Sequence, residues 1–430
     1  MTRADNMNGR SSGWQVILIL VFAGEMIFSL PFHVARYFRP VLLDVLDLTQ
    51  TQLGDIQATY GIMAMIAYFP GGLLADRFST RKLMALSLFA TALGGVFFAG
   101  LPGRAGLFFV FGWWGVTTVL LFWAALIKAT RFWGGRYSQG RAFGILDGGR
   151  GLMAAGASTL AVLILGYYLP AQVEEATMLQ RRHGLQGVIY LYTGLTFLAG
   201  VLVWFFIEDT GKTDKKNAAG LWKGLKSTLR NKAVWLQALI VICAYCAYKG
   251  GDYYSGYAME ALDLNDIEAP FFVSYASYFR AVSAVAAGLV VDRFSAGKVI
   301  AWLFGILVVS YLLLGALVPG PGKYLVIYVD LIVTFIAFFG LRGVYFALLE
   351  ETKITAGVTG TAVGLISVIG YTPDVFFYSL SGRILDASPG ISGYRHFYLM
   401  LAAFSVIGML AAGFLLRIVP RQGEKSINMH

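Results

Sequence analysis

Stretches of about 20 predominantly apolar residues recur along almost the whole chain, and this recurrence restricts the possible folds more than any motif does. A helix rises about 1.5 Å per residue, so each stretch is long enough to cross a hydrocarbon layer roughly 30 Å thick. No water reaches the backbone there, and only a structure that satisfies its own N–H and C=O groups spans such a layer. The pattern predicts twelve helices, over residues 14–37, 53–75, 82–101, 106–128, 141–168, 187–207, 233–259, 269–291, 298–318, 323–347, 358–382 and 395–418. The expected fold class is an all-α membrane protein with twelve transmembrane helices. Composition agrees: 57% of the residues are hydrophobic and 13% charged, against roughly half and a quarter in soluble proteins. Collagen-like, disordered and soluble nucleic-acid-binding chains are excluded on the same grounds. Residues up to Ser12 are polar, and the first apolar run is longer than the core of a cleavable signal, so it is expected to remain as a spanning helix.

The net charge of +10 lies in short connections between apolar runs. It therefore reads as a topological signal rather than a nucleic-acid-binding patch. The long polar connection, residues 208–232, carries Lys212, Lys215, Lys216, Lys223, Lys226, Arg230 and Lys232. The positive-inside rule places it in the cytoplasm, and an even number of spans places both termini there as well, in what is expected to be a bacterial inner membrane. Three parts follow: a six-helix bundle over 1–207, a basic linker over 208–232 and a second six-helix bundle over 233–430. Cys243 and Cys246 form a C-x-x-C inside an apolar stretch. Neither a βαβ redox context nor further zinc ligands accompany them, which favours a structural role.

Internal repetition supports the two halves. Gly72-Leu73-Leu74-Ala75-Asp76-Arg77-Phe78-Ser79-Thr80-Arg81-Lys82 recurs as Gly288-Leu289-Val290-Val291-Asp292-Arg293-Phe294-Ser295-Ala296-Gly297-Lys298, with seven of eleven positions identical at an offset of 216. Gly140-x-Ala142-x-Gly144 recurs as Gly360-x-Ala362-x-Gly364. The G-x-L-A-D-R-x-x-x-R-K stretch at 72–82 resembles the loop signature of the major facilitator superfamily, whose members pair two six-helix halves. The resemblance implies two pseudo-symmetric bundles that rock around a midplane cavity. It also implies a gating role for Asp76, Arg77 and Arg81, and for Asp292 and Arg293 in the second copy, which has Gly297 in place of the later arginine.

Ionisable side chains inside a span cost on the order of 2.5–3.5 kcal/mol each, so they usually face one another or a wet cavity and mark function. Here they are Glu25, Arg36, Lys128, Asp147, Arg150, Lys249, Asp252, Arg280, Asp330, Arg342 and Asp374. Asp147 and Arg150, and likewise Lys249 and Asp252, are three apart and able to pair within one helix. A looser resemblance runs to the organophosphate and sugar-phosphate permease branch. It is carried by His33-Val34-Ala35-Arg36-Tyr37-Phe38, by Lys128 with Arg131-Phe132-Trp133, and by Gly140-Arg141-Ala142-Phe143-Gly144. Arg150 stands where that branch has a substrate-contacting histidine, and Lys249 roughly where it has a phosphate-binding arginine. Lysine binds anions as a point charge, without the two-pronged geometry of arginine.

Arg36, Arg150, Lys249 and Lys128 are thus the candidate cations for an anionic solute, with Tyr253, Tyr254 and Tyr257 as candidate solute contacts or interfacial anchors. Glu25, Asp147, Asp252 and Asp374 are the candidate proton carriers, since poor hydration favours the neutral carboxyl. Glu25 leads because no basic residue lies one turn away on its helix. The expectation is a secondary transporter of a small, anionic organic solute such as a sugar phosphate or organic acid, driven by a proton or counter-anion gradient. Alternatives are efflux of amphipathic or lipid-like compounds and a transport-fold sensor. No nucleotide-binding G-x-x-x-x-G-K-[ST] loop, metal-ligand spacing or nucleophile–base pair is visible. No enzyme activity, cofactor or nucleic-acid partner is expected; the partners foreseen are the solute and the lipid bilayer, around a monomer.

Overall fold

The computed structural model describes residues 13–134, 139–209, 229–348 and 359–418. Twelve helical segments run through them. They are α1 (Gly13–Met26 and, past a 42° bend, Ser29–Tyr37), α2 (Gln50–Arg77), α3 (Thr80–Ala99), α4 (Arg104–Gly134), α5 (Gln139–Tyr168) and α6 (Met178–Phe206), then α7 (Lys232–Leu262), α8 (Glu268–Val291), α9 (Ala296–Ala316), α10 (Tyr324–Ala347), α11 (Thr359–Gly370 and Pro373–Ala387) and α12 (Ile391–Ile418). Among the described residues, nine are long and apolar enough to cross a membrane, and the two bent pairs in α1 and α2 bring the number to eleven. Segment α11, interrupted at Tyr371 and Thr372, completes the series. A short helix, Arg39–Leu46, joins α1 to α2.

The expected boundaries hold to a few residues except at three ends, the first being that of α11, which runs on to Ala387 rather than 382. Helix α4 runs on to Gly134, and α6 starts at Met178, nine residues before the apolar pattern sets in. The early start has a local cause. Thr177 accepts from the Gln180 N–H while Gln180 accepts from the Thr177 N–H, a reciprocal cap that carries the helix through Arg181, Arg182 and His183. Most of the basic linker, and Arg141, Gly140 and Gly360 of the shorter repeat, lie outside the residues whose side chains are described.

The chain divides into two compact units. The first comprises residues 1–214, 252–281 and 374–388. In it α1 packs on α5 and α6, α3 on α6, α2 on α4, and the start of α8 on α5. The second comprises 215–251, 282–373 and 389–430, where α9 packs on α12 and α10, and α7 on α12 and the first part of α11. Helices α7, α8 and α11 each contribute to both units. Each is interrupted within a few residues of its crossing point: α7 by a tight turn at Gly251–Tyr253, α8 at Tyr278, and α11 at Tyr371 and Thr372.

A repeated packing device holds the helix pairs together. In the first unit Phe89 of α3 fills the space over Gly200 of α6, where an added Cβ would meet the ring at 2.7 Å. In the second unit Phe304 of α9 covers Gly408 of α12 in the same manner. Lipid offers no hydrophobic drive for helices to associate, so close approach at small residues supplies the dispersion contact that does. Gly200→Val and Gly408→Val should each overpack their sites by about 1–3 kcal/mol. Melting curves in detergent should therefore fall for both, and stay unchanged for Gly194→Ala, whose added Cβ enters open space.

Candidate functional site

Helix α1 is built to present charge. Pro31 brings no N–H to the preceding turn, and the Met26 carbonyl accepts instead from the hydroxyls of Ser29 (2.7 Å) and Thr196 (2.9 Å). The segment Ser29–His33 is wound wider than an α-helix, and the axis bends there. Eight residues of straight helix would separate Glu25 from His33 by about 12 Å along the axis. Across the bend, His33 Nε2 lies 3.1 Å from Glu25 Oε1.

Glu25 is the centre of a buried ionic cluster. Its Oε2 accepts from Arg150 Nε of α5 at 3.0 Å, and Arg280 Nη1 of α8 stands 3.6 Å from Oε1. Arg280 also donates through Nη2 to Asp147 of α5 at 3.0 Å. Its aliphatic stem lies in the slot left by Gly151, where a Cβ would come within 3.0 Å of Cγ and Cδ. Arg150 lies 5.5 Å from the Phe28 ring centre and 6.0 Å from that of Trp123, faces that suit a cation. A second cluster sits further along α1. Arg36 Nε donates to Asp252, whose other oxygen accepts from the Tyr378 hydroxyl at 2.6 Å, and Ser255 Oγ donates to the Arg36 carbonyl at 3.2 Å. Arg36, Arg150, Arg280, Glu25 and Asp252 are all buried.

Three expectations change on this geometry. Glu25 is not isolated: its own helix carries no nearby cation, but α5 and α8 bring two. Arg150 donates to Glu25 rather than to Asp147 one turn before it. Asp252 takes Arg36 and Tyr378 as partners instead of Lys249. In each case the partner is a residue distant in sequence, because a helix face turned into a bundle meets its neighbours before it meets its own next turn.

Of the other candidates, Tyr253, Tyr254 and Tyr257 are fully buried in the first unit, not placed at a lipid interface. The Tyr253 hydroxyl donates to the Tyr378 carbonyl at 3.2 Å, under the guanidinium of Arg39, which lies 4.0 Å from the ring centre. Lys128 is outside both clusters: its ammonium donates to the Ala75 carbonyl at 3.0 Å, in the last turn of α2, where a cation also meets the negative end of the helix. In the second unit Lys249 is buried, 5.1 Å from the Tyr245 ring centre, Arg342 lies over Tyr248 at 4.2 Å, and Asp330 pairs with Ser310. Asp374 opens the second part of α11. Asp76, Arg77 and Arg293 are exposed, and Arg81 lies 5.8 Å from the Trp204 ring centre. The Asp292 side chain is outside the described residues. His33, Arg280 and Tyr378 are members of the clusters that the sequence did not single out as site residues; for His33 the signal was there, a histidine two turns past a buried glutamate and beyond a proline.

Where α2 begins, the same unit is held by polar ties to α11. The first N–H groups of α2 are all answered: Gln50 and Thr51 donate to Asp386 of α11 at 3.1 and 2.7 Å, and Gln52 donates to Thr49. Asp55 takes both Nη1 and Nη2 of Arg383, at 2.8 and 3.3 Å, and the Ser379 hydroxyl. Between these polar ties the backbones touch. A Cβ added at Gly54, Gly61 or Gly382 would overlap the main chain of Tyr378, Asp374 or Gln50. Arg181 bridges Asp44 and Asp266, each at 3.0 Å. Burial lifts the Asp266 carboxyl above its ordinary range; Arg181 opposes the lift, and Asp44 and Glu174 add to it.

Comparison with known proteins agrees with the helical pattern. The profile of the Major Facilitator Superfamily matches residues 16–376. "Inner membrane protein YqcE" of Escherichia coli K12 is 28% identical over 409 residues, covering 92% of each chain. "Probable nitrate/nitrite antiporter NarK1" of Thermus thermophilus is 25% identical over 401 residues, covering 84% of this chain and 83% of its own. Among solved structures, the nucleoside transporter NupG superposes with a TM-score of 0.68 at 15% identity, covering 94% of this chain and 99% of its own, a likeness of fold alone.

Two measurements test these ties. Loss of a helix cap costs roughly 0.5–2 kcal/mol, so Asp386→Ala should speed amide exchange at Gln50 and Thr51 by about 2–30-fold, read by hydrogen exchange. Because Asp266 holds its proton more tightly when buried, the packed arrangement is favoured in acid, fully below the ordinary carboxyl value near about 4, and loses that support as pH rises through the lifted value. Asp266→Asn should then melt higher than the parent at about pH 8 and level with it near about pH 4.

Proposed function

The chain belongs to the major facilitator superfamily and is an integral, multi-pass membrane transporter of a small solute; from that premise we propose that the solute is a small organic anion moved by alternating access under a proton or counter-anion gradient. One observation carries this reading: Arg36, Arg150 and Arg280 are buried in one unit, each held by a carboxylate from another helix. Buried ion pairs contribute little to stability compared with apolar packing of the same volume, so three of them in one unit call for a role beyond folding. In this reading Asp252 and Glu25 hold the guanidiniums until the solute's own anionic group competes for them. Tyr378 and Ser255, already bonded to the Arg36 cluster, are the neutral groups placed to meet solute hydroxyls. The nitrate/nitrite assignment of the Thermus relative supports an anionic solute.

Lys128 and the tyrosines 253, 254 and 257 then stand in the first unit outside the two clusters, and Lys249 is a candidate cation of the second unit. Asp76, Arg77 and Arg81 act as gating residues of the first unit and Asp292 and Arg293 as those of the second, and the breaks in α7, α8 and α11 give each of these helices a place to bend. Both termini and the linker face the cytoplasm on the charge distribution of the loops.

Reconstituted protein offered labelled glucose 6-phosphate, glycerate, nitrate, uridine, glucose and a lipophilic cation tests the reading. Counterflow of an anion is expected, with Arg36→Ala and Arg150→Ala each weakening it by at least about 30-fold, the cost of leaving a buried charge partner unpaired. Arg36→Lys should restore part of the loss. Counterflow of uridine or glucose alone would replace the anion by a neutral solute, the lipophilic cation alone would point to efflux of amphipathic compounds, and binding without flux would point to a sensor.

A further inference from the structure

We propose that His33, and not a carboxylate, is the group that takes up the coupling proton in this site, with Glu25 as its fixed counter-ion. The inference deepens the transport reading above and rests on it only in calling the proton a coupling one. His33 and Glu25 are both buried, and His33 Nε2 lies 3.1 Å from a carboxylate that can only accept, so Nε2 carries the hydrogen. The other ring nitrogen, Nδ1, is buried and has no hydrogen-bond partner among the described residues. An orphaned buried acceptor costs about 1–3 kcal/mol, and one set beside a carboxylate in an ionic cluster calls for an explanation.

The two ways of adding a proton differ sharply. Protonating Glu25 would put a hydrogen on an oxygen that already accepts, from Arg150 at 3.0 Å or from His33 at 3.1 Å, and would leave Arg150 and Arg280, 3.6 Å away, facing a neutral group. Protonating Nδ1 of His33 breaks no bond: the lone pair is unused, and the charge created sits against Glu25. The groups facing the imidazole are Glu25 and Arg36 on its own helix, Arg280 from α8, and the rings of Tyr37 and Tyr192, which meet it edge to face at 5.7 and 5.5 Å. The Tyr192 hydroxyl is also buried without a partner among the described residues.

The charge arithmetic gives the proton a purpose. Within the two clusters Arg36, Arg150 and Arg280 are matched by Glu25, Asp147 and Asp252, so together they are neutral when the imidazole is neutral. A bound monoanion leaves them one negative charge in excess in a medium that penalises net charge. One proton on His33 cancels that excess, which makes uptake of a monoanion with one proton electroneutral in the site.

Imidazole is the side chain that ordinarily titrates between about pH 5 and 8, and its ring nitrogens report protonation directly by NMR. The chain has four histidines; His183 and His396 are exposed. A protein carrying His183→Gln, His396→Gln and His430→Gln leaves His33 as the sole labelled ring, with the site intact. The expected result is a change of the His33 ring from the Nε2–H neutral form to the cation between about pH 8 and 5, moved to lower pH in Glu25→Gln. A ring that keeps one form from about pH 9 to 5 overturns the proposal, as does a midpoint indifferent to Glu25→Gln. Neither outcome touches the counterflow panel, so failure of the proton assignment and failure of the transport reading are told apart.

Discussion

Charge taken into a bundle of apolar helices has to be met by charge, and around Glu25 that requirement ties three helices together. Its carboxylate receives a guanidinium from α5, stands beside a second from α8 and accepts from the imidazole across the bend of its own α1. Arg150, left without the carboxylate, would be an uncompensated charge in a low-dielectric interior, which costs far more than the pair contributes. The bend in α1 is therefore part of the ionic architecture. Pro31 and the hydroxyls of Ser29 and Thr196 let the helix turn without stranding a carbonyl, and the turn delivers His33 to Glu25 and Arg36 to Asp252.

The same unit shows how segments from the second half of the chain come to pack with the first. Residues 252–281 join it through the ion pairs of Asp252 and Arg280, and residues 374–388 through contacts with α2 that are polar near its start and steric further along. Asp386 completes the start of α2, Arg383 and Ser379 hold Asp55, and glycines 54, 61 and 382 allow main chain against main chain. Capping across helices differs from capping within one: the cap depends on both helices keeping their contact. The three helices that supply these segments are interrupted near the points where they leave the unit, which gives the backbone places to bend without unwinding a full span.

Much of the fold was legible in the chain. The apolar runs located the helices, and the recurrence of Asp76-Arg77-Phe78-Ser79 as Asp292-Arg293-Phe294-Ser295 exposed the internal repeat and led to the family. The buried charges were legible as a set, because a lysine, arginine or carboxylate within an apolar run is conspicuous. Their partners were not. Spacing of three residues suggested Asp147 with Arg150 and Lys249 with Asp252, yet the structure joins Arg150 to Glu25 and Asp252 to Arg36 over 125 and 216 residues. Phe89 over Gly200 and Phe304 over Gly408 were equally silent, since no local pattern distinguishes a glycine that receives a ring from one that faces open space.

What the sequence by itself determined was therefore what one-dimensional periodicity and composition can encode: membrane residence, the order of the helices, the two-fold repeat, the family and the roster of charges buried in apolar runs. What only the tertiary structure decided was pairing: which guanidinium meets which carboxylate, that a histidine eight residues past Glu25 reaches it across a bend, and that α11 caps α2. The physical reason is that a helix fixes the direction of each side chain relative to its own axis but leaves the neighbours of that face to the packing of other helices. In a low-dielectric interior those neighbours set the energy of every buried charge.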